Sequence, residues 1–212
     1  MAEEVGGGEV RDGEVRDEEV RDADWYGEDL SGREHTGVRF SGVDLTEATA
    51  EGAVFTDCAF VDCKLNAVAF TDSAFANCTF TGCSFFQARF AACKLVGSRF
   101  QRCSFDLLDV DGGDWSFVLL AGADLSRATF AGTRMREADL TDVRAAGATL
   151  RGLDLSAAEL VGVDLSGADL RGSDLSALDP RDARLAGALV DVAQAVALVT
   201  TLGLDVRPDV PG

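Results

Sequence analysis

The 212-residue chain carries 37 Asp and Glu against 19 Lys and Arg, a net charge of −18. That balance disfavours direct binding to nucleic acid or an anionic membrane, both of which would repel it, and favours partners with basic surfaces. Hydrophobic residues make up 47%, enough for a large core, so the acidity does not signal a wholly disordered chain.

Residues 1–24 hold ten acids and three arginines, and Glu-Val-Arg-Asp recurs at 9–12, 14–17 and 19–22. Val5, Val10, Val15 and Val20 keep a five-residue register. The position two before each holds Glu3, Gly8, Gly13 and Glu18, however, and burying unpaired carboxylates is costly. A disordered acidic arm is expected over 1–24. The segment lacks the positive start and apolar stretch of a signal peptide, and no run in the chain approaches the roughly 18 apolar residues of a membrane span. A cytoplasmic protein with reduced cysteines is therefore expected.

From Trp25 to Val190 almost every fifth residue is large and apolar, and eleven of the 13 phenylalanines fall in this register. The exceptions are His35, Ala50, Ala145 and Pro180. Two places before the central residue comes a small or apolar one, such as Val38, Ala53, Ala88 or Ala168. All six cysteines, 58, 63, 78, 83, 93 and 103, occupy that slot too. Two inward positions spaced by two mark extended backbone. The three-residue step that follows each pair requires a corner every five residues, and sixteen glycines from Gly27 to Gly187 lie two after the centre, where Asp57, Asp62, Asp72 and Asn77 stand elsewhere. These types tolerate left-handed turns.

The units Ala123-Asp124-Leu125-Ser126-Arg127, Ala138-Asp139-Leu140-Thr141-Asp142 and Ala168-Asp169-Leu170-Arg171-Gly172 resemble the A-(D/N)-L-x-x repeat of the pentapeptide-repeat family. The resemblance implies an all-β fold: a right-handed quadrilateral β-helix, a solenoid of about eight twenty-residue coils, over residues 25–190. At about 4.8 Å between coils, Phe60, Phe80 and Phe100 would stack, as would Cys63, Cys83 and Cys103. Large and small inward residues alternate, so the interior is expected to fill without a channel.

The cysteine spacing is not that of a zinc knuckle, and the inward slot accounts for each thiol as core. His35 stands alone, with no catalytic partner. No nucleophilic triad, phosphate loop or ligand cluster is visible, so neither an enzyme nor a cofactor is expected. Leu108 is bulky and Gly113 empty where a small residue is due, which predicts a bulged or kinked coil.

Charge is uneven along the repeat. Residues 26–105 have a net charge of −2 and residues 106–179 of −8. Asp106, Asp109, Asp111, Asp114, Asp124, Asp139, Asp154, Asp164, Asp169, Asp174 and Asp179 are the candidate partner-binding surface, because clustered charge on a stiff rod steers a basic partner.

After Val190 the period changes. Asp191 with Gln194 reads as a capping box, and an apolar stretch runs to Leu202 before Gly203. A capping and dimerisation helix is expected at 191–203, with Leu189, Val192, Val196, Val199 and Leu202 at a dimer interface and a tail at 204–212. The stretch from Ala188 to Gly203, and Asp114-Trp115-Ser116-Phe117-Val118-Leu119-Leu120, are similar to the MfpA/Qnr-like group of the family. That likeness implies an end-to-end homodimer that imitates duplex DNA, binds DNA gyrase or a related type II topoisomerase, and confers fluoroquinolone resistance or immunity to a gyrase poison. One departure stands: that group often carries loops projecting from the rod, and this register leaves no room for them. An acidic solenoid scaffold for an unrelated protein partner is the competing expectation.

Overall fold

Nearly every five-residue unit folds alike, the corners at Arg127, Ala177 and Asp182 being the ones without positive φ. The central residue and the one two before it point inward, and the residue two after turns the corner with positive φ, as at Gly27 (64°), Asp57 (53°) and Asn77 (53°). The corner is not reserved for tolerant types. Leu107 (59°) and Phe117 (61°) adopt it as well, at about 1–2 kcal/mol each. A hydrogen bond between coils, from the Phe117 amide to the Arg136 carbonyl, holds Phe117 there.

In the computed structural model, which describes residues 18–207, four units make one coil, and each residue lies over the one twenty before it. On the first side, Glu19–Arg21, Arg39–Ser41, Ala59–Val61, Thr79–Thr81 and Arg99–Gln101 pair in parallel. The second side is centred on residues such as Leu45, Phe85 and Leu125. The third runs unbroken from Asp29 through Thr49, Ala69, Arg89, Asp109, Thr129, Thr149 and Asp169 to Leu189. The fourth is centred on His35, Phe55, Phe75 and Trp115. The expected four-sided β-helix is what the chain forms, and no residue is inserted anywhere along the third side.

The first coil begins earlier than the sequence suggested. Glu19–Arg21 is a strand paired with Arg39–Ser41, which corrects the disordered arm at its C-terminal end. The physical reason is that Glu18 lies at the rod's end and stays exposed, so its carboxylate is never desolvated. The rest of that arm, 1–17, lies outside the described residues, as do 208–212 of the tail.

Phenylalanines fill the N-terminal half. Ring centroids are 4.8 Å apart for Phe40–Phe60, 4.7 Å for Phe60–Phe80 and 4.9 Å for Phe80–Phe100, all near parallel. Leucines fill the other half, where the interior void measures only about 30 Å³.

The small inward slot also makes hydrogen bonds. Ser98 Oγ donates to the Phe75 carbonyl (2.7 Å) and accepts from the Cys78 amide (3.0 Å). Ser173 repeats this with Leu150 and Leu153. Cysteine is the soft version: Cys78 Sγ donates to the Phe55 carbonyl at 3.4 Å and Cys93 Sγ to the Phe70 carbonyl at 3.3 Å. Burial pushes the Cys93 thiol up to about 11. Five cysteines are buried and free; Cys103 alone is half-exposed.

The helix Val192–Thr201 closes the C-terminal end. Asp191 and Gln194 form the reciprocal capping box, and the Gln194 amide donates to the carbonyls of Leu170 (2.7 Å) and Ser173 (2.8 Å). The Ser173 carbonyl has no backbone donor among the described residues and would otherwise be orphaned under the cap, whereas that of Leu170 also accepts from the Ser173 amide. No helix among the described residues is long and apolar enough to cross a membrane.

Candidate functional site

Because five residues advance the chain by one side, the eleven candidate aspartates do not form one patch. Asp139 and Asp179 lie on the first side, Asp106, Asp124 and Asp164 on the second, Asp109, Asp111 and Asp169 on the third, and Asp114, Asp154 and Asp174 on the fourth. Most also serve the backbone. Asp124, Asp139, Asp154, Asp164, Asp174 and Asp179 each accept the amide two residues on, at 2.9–3.2 Å. That bond braces the corner, and it explains aspartate in this slot without a partner.

Arginines neutralise three of the sides. Asp106 pairs with Arg127, Asp124 with Arg144 and Asp164 with Arg184 on the second side. Asp109 meets Arg89, and Asp169 meets Arg151 and Arg171, on the third. Asp114 and Asp154 take Arg134 and Arg136 on the fourth. Hydrogen bonding to Arg171 holds Asp169 at about 2. Such exposed pairs add little stability, but they cancel the field locally.

The first side differs. Beyond Arg102 it presents Asp139, Asp142, Glu159, Asp179 and Asp182, with Arg181 the one cation, paired to Asp179. Asp139 lies directly under Glu159 in the ladder, which sets two like charges about 4.8 Å apart along the axis. Asp142, Glu159 and Asp182 are exposed. The sequence list omitted these three: it held aspartates next to a central residue, whereas Asp142 and Asp182 stand two after one and Glu159 is a glutamate. Counting outward residues by number modulo twenty would have found them.

The coil expected to deviate does so on one side only. On the second side the ladder runs Asp24, Asp44, Lys64, Ser84, Ser104 and resumes at Asp124, Arg144, Asp164, Arg184, with no bridge from Ser104 to Asp124. Every neighbouring coil has a bond like that of Phe85 N to Ser104 O or Leu125 N to Arg144 O. Among the described residues, the amides of Arg102, Phe105, Leu107 and Asp124 have no protein acceptor. Two openings of about 260 and 240 Å³ flank the gap and share Cys103, Phe105 and Asp124.

Inside the rod at this level, Trp115 reaches under Phe100 at 6.1 Å, the usual distance for rings fifteen residues apart, but with planes 6° off parallel where Phe40–Phe55, Phe60–Phe75 and Phe75–Phe90 cross at 59–75°. Its Nε1 is buried without a partner. On the opposite side Gly113 (φ 82°) presses so closely on the Cys93 backbone that a Cβ would clash. Both contacts lie at the level of the open seam.

At the helix end, Leu189, Val192, Val196 and Leu202 are exposed (Val192 at 82%), whereas Val199 is half-buried. Leu204 and Val206 extend the apolar surface. Among the described residues no group of three or more His, Cys, Asp or Glu is placed to hold a metal ion.

A family model for the pentapeptide repeat region matches residues 53–130, and one for pentapeptide repeats (8 copies) matches 29–60 and 138–176. Full-length QnrB1, a plasmid-mediated fluoroquinolone resistance protein, is similar in structure. It has 22% identity, covers 88% of this chain and 97% of its own, and gives a TM-score of 0.68. A trypsin-treated variant of QnrB1 matches with 24% identity, 90% and 98% coverage and a TM-score of 0.50. HetL, from the cyanobacterium Nostoc sp. strain PCC 7120, has 19% identity, 84% and 86% coverage and a TM-score of 0.44. No curated protein matches the sequence.

Proposed function

The chain belongs to the pentapeptide-repeat family, and from that premise we propose that it is a non-enzymatic DNA mimic, the first side of its C-terminal half binding the basic DNA saddle of gyrase or a related type II topoisomerase. The observation that carries this reading is the run of Asp139, Asp142, Glu159, Asp179 and Asp182 on one flat side with a single arginine. The fold shared with QnrB1 supports it.

The exposed apolar helix face would join two copies end to end. The acidic coils lie next to that helix, so a joined pair would set both acidic sides about the dyad, where a symmetric partner's saddle is centred. Duplex DNA carries about one charge per 1.7 Å of axis, denser than this column. The rod would therefore imitate shape and spacing more than total charge. Being stiff and already formed, it loses little conformational freedom on binding. The setting is cytoplasmic, and the outcome is altered gyrase activity with protection against a fluoroquinolone or another gyrase poison.

The test is a gyrase supercoiling and cleavage assay with the purified protein at micromolar concentration, with and without fluoroquinolone. Inhibited supercoiling, or rescue from drug-induced cleavage, is expected. No effect in either arm rejects the reading in favour of a scaffold for another protein.

A further inference from the structure

We propose that the interrupted seam on the second side is a docking cleft for an extended acidic segment, and that residues 1–17 of this same chain are its occupant. The proposal is independent of the topoisomerase reading.

The cleft offers what an extended peptide needs. One lip presents the unpaired amides of Arg102, Phe105 and Leu107. The other presents the Asp124 amide and the carbonyls of Asp124 and Ser126, which lack the bonds made at every adjacent coil but one. Elsewhere these groups satisfy each other across about 4.8 Å; here they do not meet, and an added backbone can supply both donors and acceptors. The openings beside the gap, about 260 and 240 Å³, are each roughly the space of eight waters. Exposed Phe86 and Leu107 border the second side at this level, a place for apolar side chains of the segment.

Charge selects an acidic occupant. Among the described residues, Lys94, Arg99 and Arg102 are the cations without a carboxylate within ion-pair distance, and Arg102 lines the cleft with Arg99 one corner away. Residues 1–17 hold six acids and two arginines, net −4, and carry Val10 and Val15 within the Glu-Val-Arg-Asp repeats. Reach is ample. Four coils separate Glu18 from the seam, roughly 19 Å along the axis, whereas seventeen residues extend to about 56–60 Å. A tethered segment is also presented at an effective concentration in the millimolar range.

The test uses the full chain with Val10→Cys. Cys103 is the one native thiol not fully buried and lies on the floor of the cleft. Under native oxidising conditions an intrachain disulfide between the introduced thiol and Cys103 is expected, absent when Cys103→Ser is added. Arg99→Glu with Arg102→Glu should slow it roughly tenfold, the worth of two exposed ion pairs. In the chain without Val10→Cys, the Phe105 and Leu107 amides should exchange more slowly than in the double arginine variant. No cross-link, equal exchange rates, or a rate indifferent to the arginines overturns the proposal. A disulfide formed only between two chains overturns it in favour of a second copy as occupant.

Discussion

Trp115 lies parallel to Phe100 at 6.1 Å, where the rings of Phe80 and Phe100 are 4.9 Å apart. The distance is ordinary for rings fifteen residues apart, as for Phe60 and Phe75 at 6.2 Å, but those rings are tilted by 59°; the flat-lying indole marks the level at which bonds outside the rod are missing. Trp115→Phe should let the coils close. Amide exchange at Phe105 and Leu107 is then expected to slow toward that of neighbouring coils, even as the melting temperature falls from lost packing, a loss of about 1–3 kcal/mol. Unchanged exchange at those amides would show that the seam has another cause.

The acidic side can be separated from the rest of the charge. Asp142→Asn, Glu159→Gln and Asp182→Asn remove three exposed carboxylates that have no ion pair. Stability should change by less than about 0.5 kcal/mol each, and binding to gyrase should weaken by one to two orders of magnitude with a shallower salt dependence. Neutralising Asp106, Asp124 and Asp164, which already face arginines, should matter less. Equal losses from the two triples would mean that the partner reads net charge and not one side.

Val192 and Val196 are exposed on the closing helix, and Gln194 between them is buried and anchors the helix to the last coil. Val192→Asp with Val196→Asp should therefore leave the fold intact and give monomers in sedimentation equilibrium. A persistent dimer would place the interface elsewhere.

His35 caps the aromatic end, stacked on Phe55 at 5.3 Å with Nε2 buried and unpartnered. Burial, reinforced by the Arg33 charge and opposed by Glu18, lowers its pKa. The folded state therefore favours the neutral ring. Its contribution is complete above the ordinary imidazole value of about 6.5 and declines as pH falls below it. Melting temperature should drop between pH 7 and 5, and His35→Phe should flatten that slope. The same slope in both proteins would assign it to other groups.

The five-residue register told nearly everything about the fold, because inward and outward positions are fixed by backbone geometry alone. It misjudged Glu18, since desolvation depends on whether another coil covers it. It also scattered the candidate aspartates over four sides. Which acids share a side follows from the twenty-residue coil, but which remain unneutralised depends on arginines one coil away, such as Arg127 over Asp106. The kink was announced by Leu108 and Gly113. Its position on the second side was not, because Trp115, whose indole lies flat at that level, occupies an ordinary central slot.

Since every side chain repeats its surroundings after twenty positions, the length of this rod is quantised. Removing or duplicating one whole turn, for instance residues 55–74, would shorten or lengthen the column while every surviving carboxylate kept its compass bearing. Deleting five residues would preserve the core pattern yet swing the downstream acidic strip through a quarter turn relative to the upstream half.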